Sequence, residues 1–270
     1  MKRSLRLLPA LALLLCLLSA CGAGLRTAES PSPAVTAAAA SAAPAPTPEP
    51  TAPPTPAPTP TPPPVTLGET EDMGQDYLDA IVFYGDSNTN GLRLLELLPG
   101  GYGTDQIWTP MSGTLTLSNQ SIATIVYPET GEEITIAEAV KRAQPEYLVI
   151  TLGVNGVSFM NEESFTKEYT DLVQTVQKQS PNTKIILNSI YPVASNYDKL
   201  ESINNEKISA ANQWIRAIAQ ATGTRFCNSA PTITGSDGFM DPDCGNGDGL
   251  HLSSAGFLKI LQYMRTHAYL

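Results

Sequence analysis

Histidine and basic residues are scarce in this chain, and no long apolar run is present. Only His251 and His267 occur in 270 residues, so any histidine base must be one of these two. Lys and Arg number 16 against 26 Asp and Glu, for a formal net charge of -10. Phosphate recognition needs a basic surface, so the balance argues against nucleic-acid binding. The deficit is concentrated downstream: Thr66–Leu270 carries 12 basic against 24 acidic residues, which also disfavours anionic partners. No stretch reaches the ~18–20 apolar residues that a membrane-spanning helix requires. What is present is an ordinary globular composition, with 42% hydrophobic residues. The 205 residues from Thr66 onward suffice for one sizeable core.

The first residues read as an address. Lys2, Arg3 and Arg6 precede an apolar stretch, Leu7–Leu18, that is too short to span a bilayer. Leu18-Ser19-Ala20-Cys21 follows. It resembles the lipobox of bacterial lipoproteins, which implies removal of residues 1–20, lipidation of Cys21 and anchoring on the extracytoplasmic face of a cell membrane. Residues 21–65 form the expected linker. Fourteen of the 23 prolines fall between Ser30 and Pro64, among Ala, Thr and Ser, so the segment has almost nothing bulky to bury. At ~3.1 Å per residue in polyproline geometry it can reach on the order of 100 Å.

From residue 66 to 270, short apolar runs alternate with amphipathic stretches. Strands are expected at 80–84, 122–127, 147–152, 184–190 and 224–228. Helices are expected at 89–98, 135–143, 163–179, 253–265 and around Ile203–Ala219, with Thr135/Glu138 and Ser253 or Ser254 as caps. This alternation predicts an α/β fold, a mostly parallel sheet between helices, whose ligands bind at the carboxyl ends of the strands.

Three motifs fall at such ends. Gly85-Asp86-Ser87-Asn88-Thr89 follows the first strand and puts a hydroxyl at a helix N-terminus, which suits a nucleophile whose attack creates an oxyanion. Gly153-Val154-Asn155-Gly156 follows the strand at 147–152 and offers a side-chain amide. Asp248-Gly249-Leu250-His251 pairs a carboxylate with a histidine base just before the last helix. Each alone also reads as a cap or a turn. There is no Gly-x-Ser-x-Gly around Ser87, which argues against the α/β-hydrolase fold.

In order and spacing the three blocks resemble the SGNH (GDSL-type) hydrolase family. The resemblance implies a three-layer, flavodoxin-like α/β/α sandwich and a serine esterase that needs no metal or cofactor. It makes Ser87 the nucleophile, His251 the base and Asp248 its partner. The Ser87 N–H, the Asn155 amide and a second-block glycine, for which Gly113 is the candidate, form the oxyanion hole. The third block departs from the family's Gly-x-Asn-Asp, with Gly156 in place of the Asp. The substrate expected first is an acylated cell-surface or extracellular glycan losing small acyl groups, acetyl foremost. Alternatives are a lysophospholipase or thioesterase with a groove near Phe159 and Met160, an acyltransferase, or a non-catalytic surface-binding lipoprotein.

Two further readings concern Asp241–Asp248 and the cysteines. The Asp241–Asp248 stretch suggests a calcium loop, but its twelfth position is Leu252, so it reads as a turn. Cys16 lies in the signal and Cys21 is the lipid site, which leaves Cys227 and Cys244. A disulfide between these two is expected, worth roughly 3 kcal/mol in the chain-entropy picture.

Overall fold

The computed structural model describes residues 64–270. The signal segment, Cys21 and the linker up to residue 63 lie outside the described residues. Helix α1 (Gly74–Asp79) leads into β1 (Ile81–Gly85), α2 (Ser87–Leu94) and β2 (Ile107–Trp108). Strands β3 (Thr124–Val126) and β4 (Glu133–Thr135) precede α3 (Ile136–Ala143). The chain continues through β5 (Tyr147–Thr151), α4 (Glu162–Gln179), β6 (Lys184–Asn188), α5 (Asn205–Thr222), β7 (Arg225–Cys227) and α6 (Ser254–Arg265).

Five strands form one parallel sheet in the order β2-β1-β5-β6-β7. Successive strand residues point to opposite faces, and both faces are buried. Tyr84, Leu148, Ile150, Ile185, Leu187 and Phe226 pack with apolar residues of α3, α4 and α5. Ile81, Phe83, Val149, Ile186 and Cys227 pack with α1, α6 and Leu92 of α2. This is the three-layer α/β/α sandwich expected from the sequence.

Helix starts follow their caps. Asp86, Thr135, Asn161, Asn204 and Ser253 each accept a backbone N–H in the first turn of α2, α3, α4, α5 and α6 respectively. The Glu138 carboxylate does not close a reciprocal capping box. It pairs with Arg142 at 2.8 Å instead.

Three expectations need correction, and one strand was not expected. The strand expected at 122–127 shortens to β3 and leaves the central sheet, because it pairs antiparallel with β4 across a turn closed by Tyr127 N–H donating to Glu132 O at 2.8 Å. The helix expected over 89–98 starts two residues earlier, on the Asp86 cap, and ends at Leu94. The unexpected strand is β2, at the edge of the sheet, which has only two residues, too few for any periodicity. The Cys227–Cys244 disulfide is absent: both thiols are free and buried. Cys244 Sγ accepts from Lys259 Nζ of α6 at 3.2 Å, while Cys227 is packed in the sheet-side core, where burial pushes its thiol up to about 12.

At the crevice, β1 and β5 approach with no room for a side chain at position 85. A Cβ on Gly85 would strike Thr151 O and Thr89 Oγ1. Gly85→Ala is expected to cost roughly 1–3 kcal/mol and to lower Tm by about 3–10 °C. An unchanged melting curve would show that the two strands separate freely here.

Candidate active site

The site forms where β1 runs into α2. Asp86 ends the extended segment, and its Oδ1 accepts the Asn88 N–H at 3.1 Å. That cap makes Ser87 the first helical residue, so its own N–H is one of the helix amides without an intrahelical acceptor. The partial positive charge at the helix start favours negative charge beside the Ser87 hydroxyl.

The partner residues come from the loop before α6. Asn246 N–H donates to His251 O at 2.9 Å, and Gly245 bridges Leu252, so the loop closes on itself. Inside it, Asp248 Oδ1 accepts the Leu250 and His251 N–H groups, each at 2.8 Å. Its Oδ2 takes His251 Nδ1 at 2.7 Å and Asn246 Nδ2 at 3.2 Å. Gly249 has φ of +83° and lies so close to Tyr197 that a Cβ would sit 2.7 Å from its Cα. A side chain at 249 would therefore displace the turn that sets the Asp-x-x-His spacing. His251 Nε2 lies 2.8 Å from Ser87 Oγ. With Nδ1–H given to the carboxylate, Nε2 is free to accept the serine proton.

The two carboxylates at the site have opposite environments. Partial burial alone would raise the Asp248 carboxyl. The bonds from the His251 backbone and ring, Leu250 N–H and Asn246 outweigh this and hold it well below the usual carboxylate range. Asp86 is 2% exposed, and burial raises it to about 7, against the opposing pull of the Asn88 N–H and the nearby His251. The sequence named Asp86 only as part of a motif. Its burial beneath α2 is visible only in the fold.

The two remaining oxyanion candidates differ. Asn155 sits in a loop that supports itself through Gly156 N–H and Val157 N–H to Gly153 O and Met160 N–H to Gly156 O, without the family's Asp. Its Nδ2 donates to Leu115 O at 3.0 Å and lies 3.4 Å from Thr114 Oγ1. An amide nitrogen carries two hydrogens, and the one on the longer Thr114 contact is the one a ligand oxygen can take over. Gly113 does lie in the cleft with Ser87 and His251. Its N–H, however, closes a turn by donating to Pro110 O at 2.8 Å, so the expected oxyanion amide is already engaged. Sequence spacing locates the glycine but not the acceptor its amide meets.

Ser87 and His251 open into a cleft of about 610 Å³. Its lining includes the apolar Leu94, Leu95 and Phe257 and the segment Ser112, Gly113 and Thr114. Phe159 and Met160, expected to line an acyl groove, face a separate hollow with Lys207 and Trp214 that contains no triad residue. The Asp241–Asp248 carboxylates are used locally: Asp241 caps Asp243 N–H and approaches Lys259 at 3.6 Å. His267 stacks on Tyr263 of α6, away from these residues.

The family model for GDSL-like lipases and acylhydrolases matches residues 83–258. The chain belongs to that family and is an ester hydrolase of the SGNH type. Among solved structures it is similar to a protein from Streptococcus pneumonia described as a platelet activating factor, with 22% identity, 74% of this chain and 93% of that one covered, and a TM-score of 0.52. An acylhydrolase from Bacteroides fragilis is similar at 21% identity, over 67% and 82% of the chains, with a TM-score of 0.49. An acetyl-xylooligosaccharide esterase variant from Geobacillus Stearmophilus is similar at 17% identity, over 77% and 97%, with a TM-score of 0.43. No curated protein matches.

The Asp86 environment sets a pH dependence. The folded chain keeps a proton on Asp86 between the ordinary carboxyl value of 3.8 and about 7, where the unfolded chain has lost it. The resulting stability is full below about pH 4 and declines as pH rises through about 7, by at most about 4 kcal/mol. Asp248 runs oppositely, since its contribution is present above about pH 4 and is lost only on stronger acidification. Asp86→Asn, which keeps the cap, is expected to flatten the unfolding free energy between about pH 4.5 and 8 in denaturant titrations. A variant as pH-dependent as the wild type would contradict this.

Proposed function

We propose that the chain hydrolyses carboxylic esters through a covalent acyl intermediate on Ser87. The observation that carries this reading is the unbroken chain of hydrogen bonds from Asp248 through His251 to Ser87, ending in an open cleft. His251 Nε2 takes the hydroxyl proton as Ser87 Oγ attacks the carbonyl carbon. Asp248 holds the imidazole tautomer and stabilises the imidazolium. The developing oxyanion is met by the Ser87 N–H and by the Asn155 Nδ2 hydrogen that exchanges its long Thr114 contact for the oxyanion. His251 then gives its proton to the departing alcohol. Water, deprotonated by the same nitrogen, releases the acid.

Two substrate readings follow. The first is a small acyl group, acetyl foremost, removed from a cell-surface glycan. The acidic surface supports a neutral substrate, and the Cys21 motif with its long linker supports action at a membrane-anchored, extracytoplasmic location. The second is an ester with a longer acyl chain, favoured by the apolar wall of Leu94, Leu95 and Phe257 beside Ser87.

Ser87→Ala and His251→Ala are each expected to lower p-nitrophenyl acetate turnover by about 10⁴-fold or more, and Asn155→Ala by roughly 10²–10³. Circular dichroism would verify that each variant stays folded. Wild-type turnover in folded Ser87→Ala would remove the serine from the chemistry.

A further inference from the structure

We propose that one stripe of α2 is the acyl-chain groove, and that the substrate is a medium-chain acyl ester of a polar alcohol. The inference rests on the ester-hydrolase reading and, for the same site, takes the second of its two substrate readings, the longer acyl chain, over acetyl.

Ser87, Gly91, Leu94 and the C-cap Leu95 are spaced i, i+4, i+7 and i+8, so they share one face of the helix. All four line the cleft. The far end of that face is not used for core packing, since Leu94 is 57% and Leu95 39% exposed, while Leu92, on the neighbouring face, is buried. An apolar stripe that begins at a nucleophile and stays open to solvent is a surface for a ligand.

Gly91 is where α2 meets α6. A Cβ there would lie 2.9 Å from the Phe257 ring of α6, so the two helices meet closely and the ring forms part of the wall. With any larger residue at 91, either that ring or the groove must give way.

Direction follows from the chemistry. The departing oxygen must come within reach of His251 Nε2, so the alcohol lies on the His251 side, where Asn246, Ser253 and Ser254 line the cleft. The acyl chain takes the opposite course, along α2. Eight residues of helix from Ser87 to Leu95 rise about 12 Å, the length of roughly an eight- to ten-carbon chain. The cleft volume of about 610 Å³ lies in the range of pockets that enclose ligands of this size.

The test measures kcat/KM of the purified chain on p-nitrophenyl esters from acetyl to dodecanoyl. The expected profile rises by up to roughly fourfold per methylene and levels off at about eight to ten carbons. Leu94→Asp/Leu95→Asp should lower the octanoyl-to-acetyl ratio at least tenfold, whereas Phe159→Ser, in the separate hollow, should leave that ratio at its wild-type value. A flat profile, or one that falls beyond acetyl, overturns the groove. So does a preference for octyl acetate over methyl octanoate, which would place the apolar chain on the alcohol side.

A binding measurement separates the groove from the chemistry. Titration calorimetry with Ser87→Ala should give tighter binding of p-nitrophenyl octanoate than of the acetate, with the difference lost when the two leucines are replaced by Asp. That pattern in a chain without Ser87-dependent turnover would support the groove and defeat the hydrolase reading. Equal affinities alongside normal Ser87-dependent turnover would do the reverse.

Discussion

The 2.8 Å contact between His251 Nε2 and Ser87 Oγ joins residues 164 positions apart, and the rest of the architecture serves to hold it. Ser87 is fixed by β1, by the Asp86 cap and by the close passage of Gly85 against β5. His251 is fixed by a loop that bonds to itself and is seated on α6, whose apolar face packs against the same sheet. A parallel sheet brings the ends of distant strands to one edge, so two such segments can face each other without either crossing the core.

Around that contact, environment divides the work of two carboxylates. Asp86 is almost fully buried and favours its proton, while Asp248 accepts several N–H groups and favours its charge. The charged one faces the imidazole and can stabilise an imidazolium, and the buried one caps the helix that begins at Ser87. Their stability contributions fall in different pH ranges, which makes the two roles separable by titration. Below them, Asn188 ties together Thr151, Tyr191 and Ser229 at the ends of β5 and β6.

Much of this was legible in the chain itself. β1 and β5 are unbroken apolar runs, and α4, α5 and α6 announce themselves by periodicity and caps. The three motifs mark Ser87, Asn155 and Asp248 with His251. What was not legible depends on three-dimensional neighbours. β2 is held by pairing with β1, not by its own two residues, and β4 is a largely exposed Glu-Ile-Thr with no apolar signal. The free state of Cys227 and Cys244 and the occupied Gly113 amide depend on what each atom meets. The apolar side chains beside Ser87 proved to be Leu94 and Leu95, whose helix looked like any other leucine-rich segment, and not Phe159 and Met160.

The most direct test of the nucleophile is covalent. Incubation with a fluorophosphonate, followed by intact-mass and peptide mapping, should place a single phosphonyl group on Ser87. Labelling should be absent in Ser87→Ala and strongly slowed in His251→Ala. An adduct on another residue, or continued ester turnover by fully labelled protein, would contradict Ser87 as the group that attacks the ester.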